Sequence, residues 1–428
     1  MAPSAAIVAG MDCLTDDLIS AANGGPPFTL PEPPPALYEA AAPPPPGAKG
    51  LYGGRMDNHV DSANFTVAWA DGDATTSAAN DASEALEAAW TALVEEQGWA
   101  PPVSSDDYFV WVILDPTLSG TGLTYELATD DYPDGYPVIL LNPTYASNAR
   151  FWKSLAAHEL NHALQYARRE YLTGREEPWY WEASAEWGAE LALPDVDMYA
   201  TSSVYYADAT EARYSSMEGY HQYGMFPLNA FVEETMTGDG GMLAVWERSE
   251  ALSGERWDAV LADALGVDAL TLFAGFSGAY AAETLRESSK YERPAEIVTF
   301  DGAEQMGQVN YLGSDVFVAS RGMWVDLSEG DALLANADGV GARLWVDAGD
   351  HFTVTGAEDG APYTLMEGEE QEGDTGLVDE DDGGGGGGGK SGGGTCGLTR
   401  PSHGAGWLGL IGLLALGRRR RSPRGRLG

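Results

Sequence analysis

Residues 151–171 contain neither Gly nor Pro, so a long helix is expected here. Within that stretch stands Ala-Ala-His158-Glu159-Leu160-Asn161-His162-Ala-Leu-Gln-Tyr. Residues four apart on a helix project from one face a turn apart, so both imidazoles can reach one ion. Glu159 between them is placed to take a proton from metal-bound water. The turn Thr173-Gly174-Arg175 follows, and a second helix is expected from Pro178 to about residue 193. Any fold of this chain has to seat two consecutive helices, the first equipped for metal chemistry.

The rest of a metal site must come from elsewhere. The two cysteines, Cys13 and Cys396, lie near opposite ends in low-complexity surroundings, so neither a disulfide framework nor a thiolate metal cluster is expected. Histidine and carboxylate remain. A catalytic zinc takes three protein ligands and leaves one position open. The metzincin arrangement would place a histidine six residues after His162, but Arg168 stands there, and Gln165 occupies the position of its glycine. Trp181-Glu182-Ala183-Ser184-Ala185-Glu186-Trp187 lies on the second helix. Nineteen residues separate His162 from Glu182, and a helix-turn-helix can fold that carboxylate back over the histidines.

This arrangement resembles the gluzincin peptidases, the clan of thermolysin and the zinc aminopeptidases. The resemblance implies zinc bound by His158, His162 and Glu182, with Glu159 as general base. Glu186, one turn past Glu182, matches the acid that orients the first zinc histidine in thermolysin-like enzymes. Gluzincins also use a His or Tyr downstream of the third ligand to stabilise the oxyanion, which points to His221 and Tyr223 in Tyr220-His221-Gln222-Tyr223-Gly224. The strand expected at residues 136–141 would offer an edge for an extended peptide. No Gly-x-Met-Glu-Asn precedes His158, so an endopeptidase is favoured over an aminopeptidase. The texture of the site is also similar to surface metalloproteases of myxobacteria.

Around the motif the pattern is α+β. Residues 1–50 are rich in Pro, Ala and Gly and read as an extended leader without chemistry. Residues 51–294 mix strands, at 65–69 and 108–114, with helices, including one over 77–97 and a helical part over 225–290. They are expected to form a zincin-like domain with a mixed sheet, an active-site helix and a helical C-terminal subdomain. Short apolar runs split by Gly and Asp over 295–366 suggest a small β-sandwich. Residues 367–395 are acidic, then glycine-rich, and read as a flexible tether. In residues 396–428, Cys396-Gly397, an apolar run over 404–417 and four arginines, Arg418 to Arg421, follow in order. The run is short for an unaided membrane span. The arrangement resembles the myxobacterial C-terminal sorting tag, which implies export, processing near Cys396 and membrane contact only through this tail, with the arginines cytoplasmic. At the other end, residues 5–10 are too short for the apolar part of a secretion signal and no basic segment precedes them.

Composition bounds the partners. Acidic residues outnumber basic ones 66 to 23 in the 428-residue chain, and the tail beyond residue 386 holds basic residues but no acid. So acidic a body repels nucleic acid and anionic lipid and stays soluble as a monomer. The expected activity is zinc-dependent endopeptidase action on extracellular protein. The competing expectation is a surface binding or adhesion protein that keeps the zincin fold without useful turnover, its 295–366 domain doing the binding.

Overall fold

Two strands in the first half, Val-Trp-Val-Ile-Leu and Pro-Val-Ile-Leu-Leu, are apolar along their whole length, which suits positions covered on both faces of a sheet. The computed structural model describes residues 13–15, 58–106, 109–126, 137–168, 177–238 and 240–369. The remainder of the leader, nearly all of the tether, Cys396 and the arginine tail lie outside the described residues. β1 (Asn58–Asp61), β2 (Phe65–Trp69), β3 (Val110–Leu114), β4 (Gly122–Glu126) and β5 (Pro137–Leu141) form one mixed sheet in the order β1-β2-β3-β5-β4. β2, β3 and β5 run parallel, while β1 and β4 are antiparallel to their neighbours.

The edge strand differs from expectation. Residues 136–141 are foreseen as the edge, yet β5 lies inside the sheet between β3 and β4, with all five of its residues buried. Its sequence, Pro-Val-Ile-Leu-Leu, has no polar side to turn outward. β4, reading Gly-Leu-Thr-Tyr-Glu, tolerates the edge because polar and apolar side chains alternate along it.

α1 (Thr76–Ala89) and α2 (Ala149–Tyr166) cover one face of this sheet, packing Leu86, Trp152, Leu155 and Leu160 against Val67, Val112 and Ile139. α1 begins at Thr75, whose side chain accepts from the Ala78 amide, and α2 begins at Asn148, which accepts from Phe151. Past Ala89 the helix expected over 77–97 widens into turns of the i to i+5 type over Trp90–Glu96.

α3 (Trp179–Ala192) crosses α2 through small residues: a Cβ on Gly188 would stand 2.8 Å from Cγ of Asn161. Its aromatic face, Trp179, Tyr180 and Trp181, enters a second core with Trp246 and Trp257. Six later helices follow, α4 (Ser203–Ala207), α5 (His221–Gly224), α6 (Pro227–Phe231), α7 (Gly241–Ser249), α8 (Trp257–Leu265) and α9 (Ala269–Ala281), and all but α5 place residues in that core. Each fully buried aromatic contributes about 1.5–3 kcal/mol by leaving water.

Nine strands complete the fold: β6 (Val298–Phe300), β7 (Gln305–Val309), β8 (Ser314–Ala319), β9 (Met323–Glu329), β10 (Ala332–Asn336), β11 (Gly339–Gly341), β12 (Arg343–Val346), β13 (His351–Gly356) and β14 (Ala361–Gly368). They make two sheets, β11-β10-β13-β8-β6 and β12-β9-β14-β7, around Phe300, Phe317, Val325, Leu334, Phe352 and Leu365. The mixed α+β character expected from the sequence is what the chain adopts.

Candidate metal centre and active site

α2 is buried on nearly every side, so its polar residues have to find partners within the protein. His158, Glu159 and His162 are all buried, as are Glu182 and Glu186 one turn apart on α3. The two helices point these groups at one another. Nε2 of His158 lies 3.0 Å from Nε2 of His162 and 3.1 Å from Oε2 of Glu182, and Nε2 of His162 lies 3.5 Å from Oε1 of Glu182.

The outer nitrogen of His162 is held from behind. Gln165 donates from Nε2 toward Asn161 Oδ1 at 2.7 Å, Ser184 Oγ at 3.0 Å and the Trp181 carbonyl at 3.1 Å. Those acceptors fix the amide, leaving Oε1 to accept from His162 Nδ1 at 2.7 Å. This contact on Nδ1 sets the ring so that Nε2 faces inward. Glu186 Oε1 stands 3.9 Å from Nδ1 of His158, the ring the sequence assigns it to orient.

Electrostatics follow from the crowding. Burial works to lower the His158 pKa, but Glu182, with Glu186 and Glu159 behind it, carries it up to about 9. Burial would raise Glu182, yet His162 and His158 bring it down to about 2. Glu186 is raised to about 7, chiefly by burial with His158 opposing.

Glu159 faces the sheet edge. Thr124 Oγ1 on β4 lies 2.7 Å from its Oε2, and at Gly122 a Cβ would fall 2.7 Å from its Cδ. Glu159 is thus wedged against the one position of β4 that has no side chain.

A fourth group completes the cluster, and it overturns the expectation that neither the leader nor a thiolate has a part here. Cys13 is buried, with Sγ donating to Glu159 Oε1 at 3.1 Å and lying 3.5 Å from His162 Nε2. One ligand atom each from Cys13, His158, His162 and Glu182 all fall within 4.8 Å of one another, a set that could hold a metal ion. Nothing near Cys13 in the sequence signals this, because its partners are 146 and 149 residues away. Thr124 and Gln165 also escape sequence reading, although Gln165, three residues past His162, stands on the correct helix face.

The donor set suits a cation. Two buried imidazoles and a buried carboxylate converge, and Glu182 Oε1 has no hydrogen-bond partner of its own. Four donors around a tetrahedral zinc stand roughly 3.3–3.7 Å apart, given bonds of about 2.0–2.3 Å. The separations of His162 from His158, Glu182 and Cys13, and of His158 from Glu182, are 3.0 to 3.5 Å, close to that range.

Of the two oxyanion candidates, only Tyr223 reaches the site. Its hydroxyl accepts from the Cys13 amide at 3.1 Å, its ring centre lies 6.2 Å from that of His158, and it lines a pocket with Phe151, Leu155, His158 and Glu186. His221 turns elsewhere: its ring packs on Tyr206 at 5.8 Å, and burial pushes its pKa down to about 4 against the Tyr205 backbone. Two residues apart on the short helix α5, the side chains leave on different faces.

A family model described as a family of unknown function, DUF6055, matches residues 55–255, just under half of the chain. The matched stretch contains the first sheet, α1, α2, α3 and the residues of the cluster other than Cys13. No curated protein matches the chain.

Proposed function

We propose that this chain is a zinc-dependent endopeptidase with a zincin-like catalytic domain, with His158, His162 and Glu182 holding the ion. The observation that carries the reading is the convergence of two inward Nε2 atoms and the Glu182 carboxylate beside Glu159. A bound zinc supplies Lewis acidity, polarising a carbonyl and drawing the pKa of a water toward neutrality. The protein's own residues do the rest. Glu159 takes the proton of the attacking water on Oε1 and passes it to the leaving amine. Tyr223, at the wall of the pocket, donates its hydroxyl to the oxygen on which charge develops. Gln165 holds the His162 imidazole in orientation, and the Glu186 carboxylate faces the His158 ring as a nearby opposite charge. β4, as the sheet edge, offers backbone groups to an extended peptide, so protein substrates are the class that fits. Export and surface display rest on Cys396-Gly397, the apolar run and the arginines after it.

Elemental analysis of full-length protein prepared without chelator should give about one zinc per chain. Glu182→Ala and His162→Ala should each lower that figure sharply. Cleavage of a mixed peptide library, lost on chelation and restored by zinc, identifies the substrate class. Wild-type protein without zinc, or zinc undiminished in both variants, overturns the reading.

A further inference from the structure

One of the segments touching Glu159 lies far from it in sequence. Leu14 donates its amide to the Gly122 carbonyl at 3.0 Å, Cys13 bridges Gly122 in parallel, and the Thr124 amide donates to Thr15 Oγ1 at 2.9 Å. Residues 13–15 therefore lie along the outer side of β4, where the sheet has no other strand. This backbone pairing is independent of the thiol, and it delivers the thiol to one spot: beside Glu159 and the two histidines.

We infer that Cys13 is a fourth ligand to the metal and that residues 13–15 occupy the substrate's place, so the folded chain holds its own active site shut. The inference rests on the zinc reading above and extends it to regulation. Three observations support it. First, a hydrolytic site with three protein ligands keeps one position for water, and Sγ lies where the fourth donor of the set belongs. Second, Glu182 Oε1 is wholly buried, has no hydrogen-bond partner and faces the same space, as an oxygen directed at an ion would. Third, the groups that would serve catalysis are engaged by this segment: Glu159 accepts from the thiol, Tyr223 accepts from the Cys13 amide, and the β4 edge is covered. Water, oxyanion and peptide backbone each find their positions taken. When the sulfur ligates, its S–H bond breaks, the proton passes to Glu159 or solvent, and the sulfur lone pair goes to the metal; no oxidant or reductant is needed. Displacing residues 13–15 frees all of these positions together.

The test uses full-length protein with Cys396→Ala, so that Cys13 is the sole thiol, and cobalt(II) in place of zinc. One equivalent of cobalt should bind and show a sulfur-to-cobalt charge-transfer band in the near ultraviolet. Cys13→Ala should abolish the band while cobalt stays bound, and Cys13→Ser serves as the second variant should the alanine disturb folding. A disulfide reagent should react slowly with the metal-loaded thiol and much faster after chelation. With zinc, Cys13→Ala should raise kcat/KM on a peptide by about 10-fold or more, the reciprocal of the fraction open in the parent. If one cobalt binds without the band and Cys13→Ala is no faster, the inference falls and the metal site stands. If no cobalt binds, the zinc reading itself fails and takes the inference with it.

Discussion

Glu159 is positioned by contacts from three separate parts of the chain: its own helix, Thr124 on β4, and Cys13. Glutamine keeps the shape and loses the capacity to accept a proton. Glu159→Gln should therefore keep its metal and its melting temperature while kcat/KM, measured on the Cys13→Ala background, falls by about 10²- to 10⁴-fold. A variant with parental turnover would show that hydrolysis does not run through this carboxylate. Gly122 is the complementary test, because a methyl group there has to displace the Glu159 carboxyl. Gly122→Ala should cost about 1–3 kcal/mol in denaturant unfolding and lower turnover as well; a fully stable and active variant contradicts the packing of the base against β4. At this scale the sequence is readable where chemistry is local. His158, Glu159 and His162 are legible from four-residue spacing alone, and Glu182 from the neighbouring helix. Cys13 and Thr124 are not, because only the folded sheet brings them to Glu159. His221 fails for a different reason: its identity suits the role, but which way a side chain leaves a one-turn helix cannot be read from type.

The elements carry a second kind of information. The two site helices are legible because the first lies in a stretch free of Gly and Pro and the second opens after Pro178, and their observed bounds are Ala149–Tyr166 and Trp179–Ala192. β4 is missed because its alternation runs for only five residues and includes Gly, Thr and Glu; it is stabilised by pairing with β5. α3 also has an awkward end. Glu190 sits in its last turn, where the helix dipole disfavours negative charge, and burial together with Glu287 and Asp197 raises its pKa to about 8, against Lys290 and Arg286. An acid whose folded pKa lies above its ordinary 4.5 is bound more tightly by its proton in the native state, so the penalty is absent below that value and grows as pH rises to about 8. Glu190→Gln should raise the melting temperature at about pH 9 and leave it unchanged at about pH 4. Equal gains at both pH values would assign the effect to something other than ionisation.

For the whole molecule, α9 is the joint. It packs against β10 and β13, Ser277 lies 2.8 Å from Ser314, and a Cβ on Gly278 would stand 2.9 Å from that of Ala335. The β-rich texture of the last third is legible from its short runs and turns, but the docking is not, since an apolar helix does not announce whether a sheet or another helix covers it. No single helix among the described residues is long and apolar enough to cross a membrane, and α9, the most apolar of them, is buried inside the protein. Gly278→Val should wedge the two bodies apart, cost about 1–3 kcal/mol, and split one calorimetric transition into two. A single unshifted transition would mean that the close approach does not couple them. The pairing of residues 13–15 with β4 has a consequence of another order. Blocker and target belong to one covalent chain, so their encounter is unimolecular, at an effective concentration of about millimolar or above for a suitable span. Dilution cannot relieve it, abundance cannot strengthen it, and a competing peptide has to outbid a neighbour that never diffuses away; each molecule keeps its own lock, and only severing or pulling that one chain opens it.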